Sequence, residues 1–131
     1  MKKTGLLNQP LSAMIAGLGH TDMVLVTDAG LSIPPNIQRI DLAISVGVPG
    51  FLDVIRAMLS EMQISSAIVA SELAEHSPLF HAELVTVLDG VLLVEVPHSE
   101  LLIRSQDARA AVRTGEFTPF ANILLISEVI F

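Results

Sequence analysis

The stretch Gly17–Gly30, GLGHTDMVLVTDAG, sets a short apolar run between a histidine and an aspartate. Met23 to Thr27 is apolar and β-branched, which predicts a buried strand. Asp28-Ala29-Gly30 breaks that strand. Upstream, Asn8-Gln9-Pro10 predicts a helix start, with Asn8 as N-cap and proline in the first turn. Leu11, Ile15 and Leu18 recur at helical spacing, and Gly19 is expected to end the helix in a left-handed conformation.

Downstream the alternation continues. Leu31 to Ile37, with two prolines, reads as a loop, and Arg39 to Ser45 as a strand. Val48-Pro49-Gly50 opens a helix from Phe51 to Met62, whose residues Phe51, Val54, Ile55, Met58, Leu59 and Met62 form one apolar stripe. Ser66 to Leu73 reads as a strand, Leu79 to Leu88 as a helix and Val91 to Val96 as a strand. Ser99 to Arg104 reads as a short helix capped near His98, followed by strands over Ala110 to Arg113 and Ile123 to Ile126. Short apolar strands alternating with helices predict an α/β fold. It is expected to be a single domain over residues 1–131, a three-layer sheet of mostly parallel strands with helices on both faces. In such sheets ligands gather at the carboxyl ends of strands. Asp28, His98 and the Thr114-Gly115-Glu116 turn all follow strand ends.

Composition narrows the function classes. Hydrophobic residues make up 51% of the chain, more than a small monomer needs, so apolar surface is expected to be covered between subunits. Charged residues, proline or glycine interrupt every apolar stretch before the roughly 18 residues of a membrane span. Asn8, Gln9 and Pro10 break the segment behind Met1-Lys2-Lys3, so no targeting signal is read and the cytoplasm is the expected compartment. A net charge of −7 without a basic cluster argues against nucleic acid. With no cysteine, thiolate catalysis and cysteine-based zinc sites are excluded. No helix face carries a pair of metal ligands, no glycine-rich nucleotide motif is present, and no GxSxG elbow supports a serine hydrolase.

The candidate chemistry rests on few residues. His20, in a turn, reads either as a capping residue or as a general acid or base, since imidazole exchanges protons near neutrality. His98, after a strand and Pro97, carries the same two readings. His76 and His81 are expected to be solvated. Asp41 is expected to pair with Arg39 or to cap backbone groups. Asp28 can present a carboxylate to a ligand hydroxyl, with Gly30 permitting close backbone approach. The segment Thr114–Asn122 reads either as a packed hairpin-like connection or as a sugar platform, with Phe120 under a ring and Asn122 bonding hydroxyls.

Taken in order, Leu18-Gly19-His20-Thr21-Asp22, Asp28-Ala29-Gly30-Leu31, Arg39-Ile40-Asp41, Gly47-Val48-Pro49, Val112-Arg113-Thr114-Gly115-Glu116 and Pro119 through Asn122 resemble the D-ribose pyranases, relatives of the fucose mutarotases. The resemblance covers nearly the whole chain. Fucose mutarotases usually show Gly-His-Gly-Asp where this chain has Gly19-His20-Thr21-Asp22, and they lack the counterpart of His98. The resemblance implies a cofactor-free, metal-free enzyme that interconverts the pyranose and furanose forms of D-ribose. It further implies a ring-shaped homo-oligomer, commonly a decamer, with sites between subunits. His20 would be the proton donor, and Asp28, His98, Phe120, Ala121 and Asn122 would contact the sugar.

Two positions depart from the family. Relatives carry tyrosine at Phe120 and Phe-Lys at Leu101-Leu102. These changes leave open a mutarotase for another aldose such as fucose, or a catalytically weakened sugar-binding oligomer. A strand of five to eight residues separates its ends by roughly 15–25 Å. His20 and Asp28 of one chain therefore serve one sugar only if His20 folds back or, as expected here, if a neighbouring subunit completes the site.

Overall fold

In the computed structural model, which describes residues 1–131, helix α1 (Gln9–Ala16) begins where Asn8 Oδ1 accepts the Leu11 amide at 3.0 Å. Pro10 sits in its first turn, where a missing amide costs nothing. The helix stops earlier than expected. Gly17 caps it in right-handed geometry, because the Gly19 amide is already committed to Asp22 Oδ2 at 2.8 Å in the next turn. Strand β1 (Met23–Thr27) follows within its expected bounds.

The remaining elements are β2 (Gln38–Asp41), α2 (Phe51–Leu59), β3 (Ile64–Ala70), α3 (Ser71–His76), α4 (Pro78–Leu88), β4 (Leu92–Val96), α5 (His98–Ser105), β5 (Ala110–Arg113) and β6 (Ile123–Ser127). They form one six-stranded sheet in the order β2-β5-β1-β6-β3-β4. Five strands run the same way, and β6 runs against them between β1 and β3. Register sorts the side chains. Leu25 shares a face with its partners Ala111 and Leu124, while Val26 shares the other with Val112 and Ile123. The Val26 face packs under α1, α2 and α4 in the larger core. The Leu25 face packs under α5 and the loop residue Ile37 in a smaller one. The expected three-layer α/β architecture holds. No helix is long and apolar enough to cross a membrane.

Several boundaries move. β2 ends at Asp41 rather than Ser45, because the chain leaves the sheet and folds back in an isolated Ser45–Val48 bridge. Helix α2 ends at Leu59, although Met62 still buries its side chain. The run read as one strand to Leu73 stops at Ala70, and α3 starts at once. Asp41 pairs with Arg113 at 3.1 Å rather than with Arg39, and it also accepts the Ala43 amide. The connection Thr114–Asn122 is not a hairpin. β1 lies between β5 and β6, so the segment crosses over the carboxyl end of β1.

Carboxylates tie the loops to this frame. Burial pushes the Glu116 carboxyl up, but the Thr118 hydroxyl and the amides of Phe51, Thr118 and Phe117 outweigh it and hold it below 4.5. The Leu6 amide and Lys2 likewise hold Glu61 low, and the Gly19 amide and Arg109 hold Asp22 low. A carboxyl depressed in the folded state stabilises it above the unfolded value and loses that contribution as pH falls through the folded value. Urea midpoints are therefore expected to be flat near neutrality and to fall steadily between about pH 5 and pH 3. In Glu116→Gln that acid slope is expected to be shallower. An equal slope would show that Glu116 does not carry it.

Candidate functional site

Thr27 ends β1 buried, and its hydroxyl donates to the Asp28 carbonyl at 2.8 Å. That fixes where Asp28 leaves the sheet. Asp28 Oδ1 then accepts the amides of Gly30 and Leu31, each at 2.9 Å, closing a tight Asx turn. Arg113 reaches over from β5 to donate to the Ala29 carbonyl at 3.0 Å, and the Ala29 amide donates to Glu116 O at 2.8 Å. The loop carrying Asp28 is thus held from both sides.

Because β6 is antiparallel, its first residues lie at the carboxyl ends of the other strands. This brings Asn122 against Asp28, ninety-four positions apart in sequence. The two make a reciprocal pair. Asn122 Oδ1 accepts the Asp28 amide at 3.0 Å, and Asn122 Nδ2 donates to Asp28 Oδ2 at 2.9 Å. Asn122 is almost completely buried, so both bonds are shielded from water. Ala121 beside it is fully buried in the core. Phe120 has a φ of 63°, uncommon for a residue with a side chain, held by the Asn122 amide donating to its carbonyl at 2.8 Å.

His98 opens α5 after β4. Its ring meets Phe120 edge-on, with centroids 5.2 Å apart, and its Nδ1 is buried without a hydrogen-bond partner in the chain. Asp28, Gly30, Leu31, His98, Phe120 and Asn122 line one depression of about 280 Å³. The sheet therefore brings together four of the six residues expected at the site.

His20 is not among them. It sits beyond the opposite end of β1, largely exposed, with Nε2 3.1 Å from Glu128 Oε1. Glu128 follows β6, and the Thr21 amide donates to Ser127 O, so this turn is anchored to the far end of the same strand. His20 does not fold back along β1.

Two further residues touch the pocket from behind. Glu72 accepts the His98 amide through both carboxylate oxygens, at 3.1 and 3.0 Å. His76 stacks on Phe120 with centroids 5.1 Å apart and planes 30° apart. His76 is exposed, as expected, while its ring also contacts Phe120; His81, expected to be solvated, is only partly exposed, with Nε2 2.7 Å from Glu95 Oε1. The four-residue spacing of Glu72 and His76 was the available signal, but it means something only on a helix. Reading the segment as a strand end hid it.

Residues 1–130 match the RbsD / FucU transport protein family. Proteins named D-ribose pyranase from Laribacter hongkongensis and Coprothermobacter proteolyticus are 48% and 47% identical over 131 residues, covering 100% of each chain. Bacillus subtilis RbsD, solved in complex with D-ribose, superposes with a TM-score of 0.96 at 37% identity, again covering 100% of both chains. The fucose mutarotase of Streptococcus pneumoniae, solved with L-fucose, shares the fold with a TM-score of 0.74 at 19% identity over 95% of each chain.

Proposed function

The chain belongs to the RbsD / FucU transport protein family, and on that premise we propose that it is a D-ribose pyranase, interconverting pyranose and furanose forms by acid–base ring opening and closure. The observation that carries the reading is the convergence of Asp28, His98, Phe120 and Asn122 on one small depression at the carboxyl ends of the strands.

The reaction needs little more than proton transfer. In opening, the ring oxygen of the pyranose gains a proton, the anomeric hydroxyl loses one, and the bond from the anomeric carbon to the ring oxygen breaks to leave an aldehyde. In closure, the 4-hydroxyl adds to that carbonyl carbon, loses its proton, and the carbonyl oxygen regains one. Groups that exchange protons near neutral pH suffice. In this reading His20 supplies the proton to the ring oxygen. Asp28 Oδ2 and the second Nδ2 hydrogen of Asn122 bond sugar hydroxyls, a further hydroxyl partners His98 Nδ1, and Phe120 lies against the ring carbons. Ala121 holds its neighbours in register.

His20 and Asp28 lie at opposite ends of β1, which supports a site shared by two copies, with His20 of one copy facing Asp28 of the next. A closed ring, expected as a decamer, and a cytoplasmic location complete the proposal.

Saturation-transfer NMR on D-ribose tests the activity. Exchange between pyranose and furanose signals is expected to be faster than in buffer, and equal rates would overturn the reading. Phe120 lacks the hydroxyl of a tyrosine, which favours as a second reading a mutarotase for a less polar aldose. The same measurement with L-fucose separates the two, since faster exchange with ribose rejects the second.

A further inference from the structure

Helix α3 is a little under two turns long and lies outside the pocket, yet it contacts two pocket residues that come from different elements. Glu72 and His76 are four residues apart, so they project from the same side of the helix. Glu72 closes both oxygens on the His98 amide at the start of α5. The residue before His98 is Pro97, whose side chain provides no cap, so Glu72 does that work from another segment. His76 covers one face of Phe120, while His98 meets the same ring edge-on.

Both contacts bear on groups that need holding. Phe120 has left-handed backbone geometry, which a phenylalanine adopts only when its surroundings enforce it. His98 has a buried ring nitrogen without a partner, so the direction of its ring is not set by its own hydrogen bonds. Its position is set instead through its backbone, at the amide that Glu72 grips. The Glu72 carboxyl is held below the usual glutamate range, chiefly by its own backbone amide, with burial opposing and the His98 amide adding to the effect.

We propose that α3 is a positioning bracket for the sugar pocket: Glu72 fixes His98 and His76 fixes Phe120, so the pair sets sugar affinity without touching the reacting atoms. The inference rests on the ribose-isomerase reading and adds two residues to it. His76 is a positioning residue on an exposed surface, which makes it replaceable without disturbing the core.

The experiment is a D-ribose titration of the assembled protein, reading the dissociation constant by calorimetry and pyranose–furanose exchange by NMR on the same samples. His76→Ala is expected to weaken ribose binding about three- to tenfold, the range of one aromatic pair. Its exchange rate at saturation is expected to change less than about twofold. His76→Phe keeps an aromatic stack and is expected to restore wild-type affinity. Glu72→Ala is expected to behave as His76→Ala does, and Glu72→Gln, which keeps one acceptor for the His98 amide, to recover part of the loss. Should Glu72→Ala fail to fold, Glu72→Gln and the His76 pair carry the test. Phe120 ring-proton shifts are expected to move in His76→Ala, as the stacked imidazole is removed. Unchanged affinity in His76→Ala, or a fall in exchange rate at unchanged affinity, overturns the bracket. Wild-type protein that binds ribose without exchanging it overturns the isomerase reading and leaves the bracket to the affinity data. Wild-type protein that binds no ribose overturns both.

Discussion

His20→Ala is expected to lower pyranose–furanose exchange about 10²- to 10⁴-fold, the usual contribution of a positioned acid or base. Stability is expected to move by no more than about 0.5 kcal/mol. The side chain is 58% exposed and its one partner is Glu128, itself partly exposed, in the kind of surface pair that contributes little to folding. A variant that folds normally yet loses exchange therefore separates chemistry from structure. Full activity in His20→Ala would remove the histidine from the mechanism.

The same variant tests how the site is built. Asn122→Ala disables the opposite end of the sheet, so neither variant alone is expected to exchange ribose. Dissociated and reassembled together in equal amounts, the two are expected to recover about a quarter of wild-type activity, since half of the neighbours supply His20 and half of the acceptors keep Asn122. If each site lay within one chain, every chain would carry a defect and nothing would return. Absence of recovery in mixed assemblies overturns the shared site.

The largest expected loss of stability comes from Gly115→Ala. A methyl group there would sit 2.5 Å from Ser45 O and 2.6 Å from both Val48 N and Val48 O. All three are backbone atoms, so no side chain can swing aside. The same glycine accepts the Gly47 amide and donates to Pro49 O, which binds the 45–49 turn to the segment that follows β5. Overpacking of this kind costs about 3 kcal/mol or more when the neighbours cannot yield. The urea midpoint is expected to fall accordingly at a fixed protein concentration. Gly17→Ala, whose added carbon would meet its neighbours at an ordinary 3.5 Å, serves as the control. A midpoint equal to the control would show that the turn gives way. Because the Glu116 carbonyl next door accepts the Ala29 amide, ribose affinity is expected to drop along with stability.

Much of this was legible in the residues. The apolar β-branched run Met23–Thr27 marked β1, the segment Ala110–Arg113 was read as β5 at its correct bounds, and the Asn8–Pro10 start marked α1. Strand direction was not legible, since a buried run such as Ile123–Ser127 reads the same either way. The clue lay in the connection. Thr114–Asn122 is shorter than the dozen or so residues a parallel crossover needs, which forces β6 to run against its neighbours. Asp28, His98, Phe120 and Asn122 were each named from the chain, but their convergence depends on that reversal. The Glu72 and Glu128 contacts have no local signature, because each joins segments that only the sheet brings together.

The reversed strand also bears on a matter of counting. β6 starts just after Asn122 beside the depression and ends beside Glu128, which meets His20. On the proposed shared site, each copy carries an acceptor half at one end of this strand and a donor half at the other, with the strand as a rigid spacer. Copies that join head to tail and close leave no half unmatched, so complete sites equal copies. An open row always wastes one half at each end, and a lone copy wastes both. Under the proposed shared site, ring closure acts as a switch on specific activity, and dilution below the assembly threshold is expected to lower exchange without unfolding the chain.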